Sequence, residues 1–112
     1  MSGLGDTIAQ FTKACNENER LRQMNHDWDR VIVVRPDDAA EEHLVAYHGG
    51  VASVVDTGEP DLVVEGSSRV LEDIFSGAIT PTEPYMSGDL RVAGSQDDMM
   101  RLDIITLLIW GE

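Results

Sequence analysis

Apolar positions along this chain follow two spacings, helical and alternating, and the order in which the two appear outlines a fold. After Asp6, a side chain suited to capping, Ile8, Phe11 and Cys15 recur at helical intervals. Asn16-Glu17-Asn18 interrupts them before Leu21 and Met24 resume the pattern. This predicts two short helices, or one kinked helix, over about residues 7–25, with residues 1–5 a frayed start. Val31-Ile32-Val33-Val34 is apolar on both parities, the mark of a strand inside a sheet and covered on both faces. Residues 44–48 and 51–55 flank Gly49-Gly50, the two-residue signal of a hairpin. Asp61-Leu62-Val63-Val64-Glu65 reads as a further strand, stopped by Gly66-Ser67-Ser68. Val70, Leu71, Ile74 and Phe75 then share one face of a helix ended by Gly77. Thr80-Pro81-Thr82-Glu83 has the spacing of a capping box and opens a second helix that Gly88 breaks. Leu90-Arg91-Val92-Ala93 alternates as a strand up to Gly94. Ser95 caps a last helix with Asp97 and Asp98 in its first turn, where they complement the helix dipole. The order α, β, β, β, β, α, α, β, α predicts a mostly antiparallel α+β layer structure.

The stretch from Pro60 to Gly94 resembles the core of the sterol carrier protein two family, the SCP-2-like sterol and lipid transfer domains. An acidic residue opens an aliphatic strand, a helix ends in glycine, a proline follows four residues on, and Gly, Leu and Gly frame the last strand. Asp61, Gly77, Pro81, Gly88, Leu90 and Gly94 hold those positions here. The resemblance extends more loosely over nearly the whole chain. It implies a five-stranded sheet with helices packed over one face and a hydrophobic tunnel between. Pro84 departs from the pattern: proline removes a donor and disfavours helix at Glu83, so the second short helix is expected to be a single turn or an irregular lid.

Length and charge narrow the function classes. A chain of 112 residues makes one domain, 1–112, and buries roughly 60–70% of its unfolded surface, enough for a core and one modest cavity. Seven Arg and one Lys stand against 21 acids, for a net charge of −13. That field repels phosphate backbones and anionic headgroups, so neither nucleic acid nor an anionic bilayer is an expected partner. No apolar run reaches the ~18–20 residues of a membrane span, so no stable membrane insertion is expected. The first residues carry no basic segment followed by an apolar run, and the last three, Trp110-Gly111-Glu112, are not a peroxisomal Ser-Lys-Leu address. A cytoplasmic location follows as the default expectation. The lone Cys15 allows no internal disulfide.

Catalytic chemistry is sparse in the sequence. His43 and His48, five apart on one strand, point to opposite faces, and no spacing of metal ligands occurs. Asp37-Asp38 with Glu41-Glu42 lacks the glycine and alternating oxygens of a calcium loop. No nucleophile elbow or phosphate loop is present, so no cofactor, metal or catalytic residue is expected. The apolar breadth of the last helix is the stronger signal, since its second half exceeds the stripe a surface helix needs. The resemblance to the SCP-2-like domains implies the expected activity, non-enzymatic binding or transfer of a fatty-acyl, sterol-like or other apolar molecule in a cavity between sheet and helices, and a broad apolar face on the last helix is compatible with it. Leu71, Ile74, Phe75, Ile79, Tyr85, Met86, Met99, Leu102 and Ile105 are the expected wall or lid residues. Two other readings stay open. One is a ligand-free interaction module, with the last helix pairing with another copy or another protein. The other is a small enzyme holding an apolar substrate in the same pocket, with His48, Tyr85 or Asp61 as catalyst.

Overall fold

The N-terminal helices form where the pattern places them but begin earlier. A computed structural model describes residues 3–110, and of Trp110 the backbone alone. Helix α1 spans Leu4–Glu17 from a cap at Gly3, whose carbonyl accepts from the Thr7 hydroxyl. Leu4 is buried, which anchors the turn that Asp6 was expected to open; Asp6 instead lies inside the first turn. The expected fraying of residues 1–5 thus fails for Gly3, Leu4 and Gly5, while Met1 and Ser2 lie outside the described residues. Asn18 breaks the helix and caps α2, Glu19–Met24, by accepting from the Leu21 amide at 3.0 Å.

Five strands follow: β1 Arg30–Pro36, β2 His43–His48, β3 Val51–Val55, β4 Leu62–Gly66 and β5 Leu90–Gly94. They make one sheet in the order β3-β2-β1-β4-β5. Three pairings are antiparallel, and β1 with β4 is parallel. The fold is the expected α+β arrangement, with a mixed sheet that is mostly antiparallel. Gly49 and Gly50, both at positive φ, make the hairpin between β2 and β3. The carboxylate of Asp61 accepts from the Val31 amide at 2.9 Å, and its own amide donates to Val31, which sets the register of β4 on β1.

The register places Ile32, Val34, Val45, Tyr47, Ala52, Leu62, Val64 and Leu90 on one face, and all join the core beneath the helices. Helix α1 packs over β2 and β3, and helix α3, Ser68–Phe75, over β1 and β4. Ser67 caps α3 by accepting from the Val70 amide. Helix α4, Thr82–Ser87, and helix α5, Gln96–Trp110, lie against β5. The expected capping box at Thr80 does not form: Pro81 is the first flanking residue of α4 and no side chain caps it. Pro84 is tolerated because it stands in the first turn, where an amide has no partner to lose.

Among the described residues no helix packs on the other sheet face. Val31 and Leu44 there are covered by the loop at Gly58, and Arg35 bridges Glu42 and Glu65 across the strand ends. Val33 is buried yet belongs to no part of the main core. The all-apolar run of β1 is thus explained by its central place in the sheet, with side chains and a loop, rather than a second helical layer, over its outer face.

Candidate functional site

Two adjoining cavities open between α3, α4, β5 and α5. The larger holds about 300 Å³. Its floor is sheet: Val64, Leu90 and Val92, three residues of the helix-facing side of β4 and β5. Its walls are Ile74 and Phe75 from α3, Tyr85 from α4, and Met99, Met100 and Leu102 from α5. The smaller, about 230 Å³, continues past Ile74, Pro81, Thr82, Asp103 and Thr106 to Ile79 and Leu107. Polar side chains are few: Thr82, Tyr85, Gln96, Asp103 and Thr106 around the larger cavity, with Thr80 in the smaller. Tyr85 and Met100 are each about half exposed, so the space reaches the surface between α4 and α5.

The nine residues expected to line a cavity divide three ways. Ile74, Phe75, Tyr85, Met99 and Leu102 surround the larger space, and Ile79 the smaller. Leu71 and Ile105 line neither: both are 0% exposed and packed in the core, on the same buried sides of α3 and α5 as the lining residues Ile74, Phe75 and Leu102. Met86 is 81% exposed and points away, because the buried side of α4 is taken by Pro84. Sequence reading missed the polar members. Met99, Asp103 and Thr106 stand at i, i+4 and i+7, a spacing that would have put Asp103 and Thr106 on the face of Met99.

The titratable candidates are placed elsewhere. His48 pairs with Asp29 at 3.2 Å and is 88% exposed at the side chain, His43 lies on the opposite strand face near Gly5, and the ring of His26 meets the Gln23 carbonyl. Burial pushes the Cys15 thiol up to about 11, only partly opposed by the hydroxyl of Tyr47 at 3.6 Å. A thiol so shifted stays protonated at neutral pH and is a poor nucleophile. Asp61 is held in the sheet by Val31. Three of the four acids of the acidic loop are also committed: Asp37 pairs with Arg91, Glu42 with Arg35, and Asp38 accepts from the Ser68 hydroxyl and amide, which hold its carboxyl below the ordinary range. Among the described residues no group of three or more His, Cys, Asp or Glu could hold a metal. None of the described helices is long and apolar enough to cross a membrane.

Solved structures share this architecture at low identity. Palmitated SCP2L2 from Aedes aegypti aligns with a TM-score of 0.70 and 12% identity, over 94% of this chain and 95% of that one. Sterol carrier protein 2 from Yarrowia lipolytica, in its apo form, aligns with a TM-score of 0.66 and 13% identity, over 100% and 97%. A double mutant of the sec-alkyl sulfatase PisA1 contains a similar domain, with a TM-score of 0.63 and 14% identity over 79% of this chain, which spans only 14% of that enzyme's length. These likenesses speak for the fold. No curated protein sequence matches the chain significantly. The sequence model of the SCP-2 sterol transfer family does match, over residues 8–105. Fold and sequence model agree, and this chain belongs to the SCP-2 sterol transfer family.

Proposed function

We propose that this chain binds or transfers an apolar small molecule, fatty-acyl or sterol-like, in the space between β5 and helices α3, α4 and α5, without transforming it. The observation that carries this reading is the cavity of about 300 Å³ floored by Val64, Leu90 and Val92 and walled by Phe75, Met99 and Leu102. That volume stands at the lower end of small-molecule sites, roughly 300–1,000 Å³, and the adjoining space extends it. Burying a hydrocarbon there is favourable by about 25 cal/mol per Å² removed from water, before translational and ordering costs. Methionine at the opening suits ligands of varied shape. The palmitated state of SCP2L2 from Aedes aegypti supports an acyl chain as one ligand class.

The enzyme reading finds no support in the placement of its candidates. His48 and Asp61 are engaged away from the cavity, and Tyr85 reaches it with no basic partner among the lining residues. The interaction reading rests on a specific feature: Met100, Ile104 and Leu107 form an exposed apolar stripe along α5.

Native mass spectrometry after mild purification tests the two. A monomer carrying a lipid-sized mass, lost in Val92→Phe, which fills the floor of the cavity, is the expected result. A ligand-free dimer that dissociates in Ile104→Glu would replace the carrier reading with the interaction module.

A further inference from the structure

The charge of the ligand is written on the wall of the cavity. Asp103 borders both spaces and is, among the described residues, the one charged side chain that lines them. None of the eight cationic side chains lines either space. Four of them are committed elsewhere: Arg30 to Asp98, Arg35 to Glu42 and Glu65, Arg91 to Asp37, and Arg101 to the Met24 carbonyl and Asn25. The remaining polar lining is neutral, and the Thr106 hydroxyl already donates to the Asp103 carbonyl at 2.8 Å. An anionic head seated beside these groups would therefore meet a carboxylate and no counter-charge, within a molecule of net charge −13. A head that donates hydrogen bonds, hydroxyl or ammonium, meets an acceptor.

We infer that Asp103 is a specificity-determining residue that excludes carboxylate- and phosphate-headed amphiphiles and admits apolar molecules with an uncharged or cationic, donor-bearing end. This rests on the carrier reading above and adds the class of head group to it. The hydrocarbon portion of any acyl ligand fits the walls equally well; selection acts at its polar end.

The probes are 1-decanol, decanoate and decylammonium, each used to displace a bound apolar fluorophore at neutral pH and low salt. Decanol and decylammonium are expected to bind about tenfold more tightly than decanoate, the size of effect that one nearby like charge produces in a partly solvated site. Asp103→Asn, with Asp103→Ser as a second variant, should raise decanoate binding, lower decylammonium binding and bring the three to within about threefold. Both variants keep an exposed polar residue at an exposed position, and circular dichroism checks their fold. Asp56→Asn, which removes one charge beyond the far edge strand, should leave the discrimination intact. Equal binding of decanoate and decanol, or a gap unchanged in both Asp103 variants, overturns the inference while leaving the carrier reading standing. Failure of all three probes to displace the fluorophore overturns both.

Discussion

Phe75 serves two surroundings at once. Its ring meets Phe11 edge to face, centroids 4.9 Å apart at 83°, and also walls the cavity. Truncation to alanine removes the aromatic contact but joins the vacated space to an opening that water or ligand can enter. Phe75→Ala should therefore cost about 3 kcal/mol, the low end of the range for buried phenylalanine, in urea unfolding, together with weaker fluorophore uptake. A loss nearer to 5 kcal/mol with uptake unchanged would place the ring wholly in the core. Gly50 is constrained differently. It has φ +83°, and a Cβ there would come within 2.5 Å of the Arg22 carbonyl oxygen, whereas Gly49, at φ +60°, faces open space. Gly50→Ala should destabilise the protein by about 2 kcal/mol more than Gly49→Ala, because it adds a backbone collision to the left-handed strain both share. Equal costs in the two variants would show that the hairpin does not rest on α2. Residue by residue, the sequence separated oily from polar positions well, yet Leu71 and Ile105 could not be told from Ile74 and Leu102. Periodicity finds the buried side of a helix and is blind to which part of that side adjoins a void.

Among the elements, α5 is fastened at its start by contacts that periodicity does not reveal. Asp98 reads in sequence as a carboxylate complementing the helix dipole. In the fold it is 6% exposed and accepts from Trp28 Nε1 at 3.0 Å, from Arg30 Nε at 3.1 Å and, through its own amide, is tied to Ser95. One turn later Arg101 reaches the Met24 carbonyl and Asn25, and its guanidinium lies 5.3 Å from the centre of the Trp28 ring. A buried indole needs an acceptor, and that was the one available hint. Burial by itself would raise the Asp98 carboxyl; the hydrogen bonds from Trp28 and Arg30, the charge of Arg30 and the Ser95 contact outweigh it and hold the group below its ordinary value. A depressed folded-state pKa contributes stability that is fully present above the unfolded value, about 3.9, and is lost as pH falls through the folded value. Asp98→Asn should thus be less stable than the native protein at neutral pH, and the difference should shrink as pH drops below about 4. A difference that stays constant with pH would mean that the ionised form of Asp98 is not what fastens the helix. Two other features of the elements escaped the pattern. Helix α4 has six residues, too few turns to fix its phase, so Met86 stands among the expected wall or lid residues while Pro84 takes the buried side. The parallel pairing of β1 with β4 depends on which strands meet across the sheet, and alternation within a strand says nothing about its neighbour.

On the scale of the whole molecule, charge sets a contest that salt can decide. The net charge of −13 on 112 residues makes the folded chain repel itself, and added ions relieve that repulsion. The same ions weaken the surface pairs Arg35–Glu42, Arg35–Glu65 and Arg91–Asp37, which sit at strand ends with side chains between about a third and a half exposed. Pairs so exposed contribute about 0–1 kcal/mol each, so their loss is bounded by a small number of favourable contacts. The repulsive side draws on every unpaired acid, and 21 acids face only eight cations. Screening also acts at the spacing that matters, since the Debye length falls from about 30 Å at 0.01 M to about 3 Å at 1 M. Repulsion should therefore dominate, and Tm should rise by at least about 5 °C between dilute buffer and roughly 0.5 M sodium chloride, equivalent to about 1 kcal/mol in a chain of this size. A falling Tm over that interval would assign the greater part of the electrostatic stability to the three surface pairs. Arg91→Gln separates the contributions: it deletes one pair and deepens the charge excess, so its Tm should climb with salt more steeply than that of the native chain, converging toward it once the field is screened.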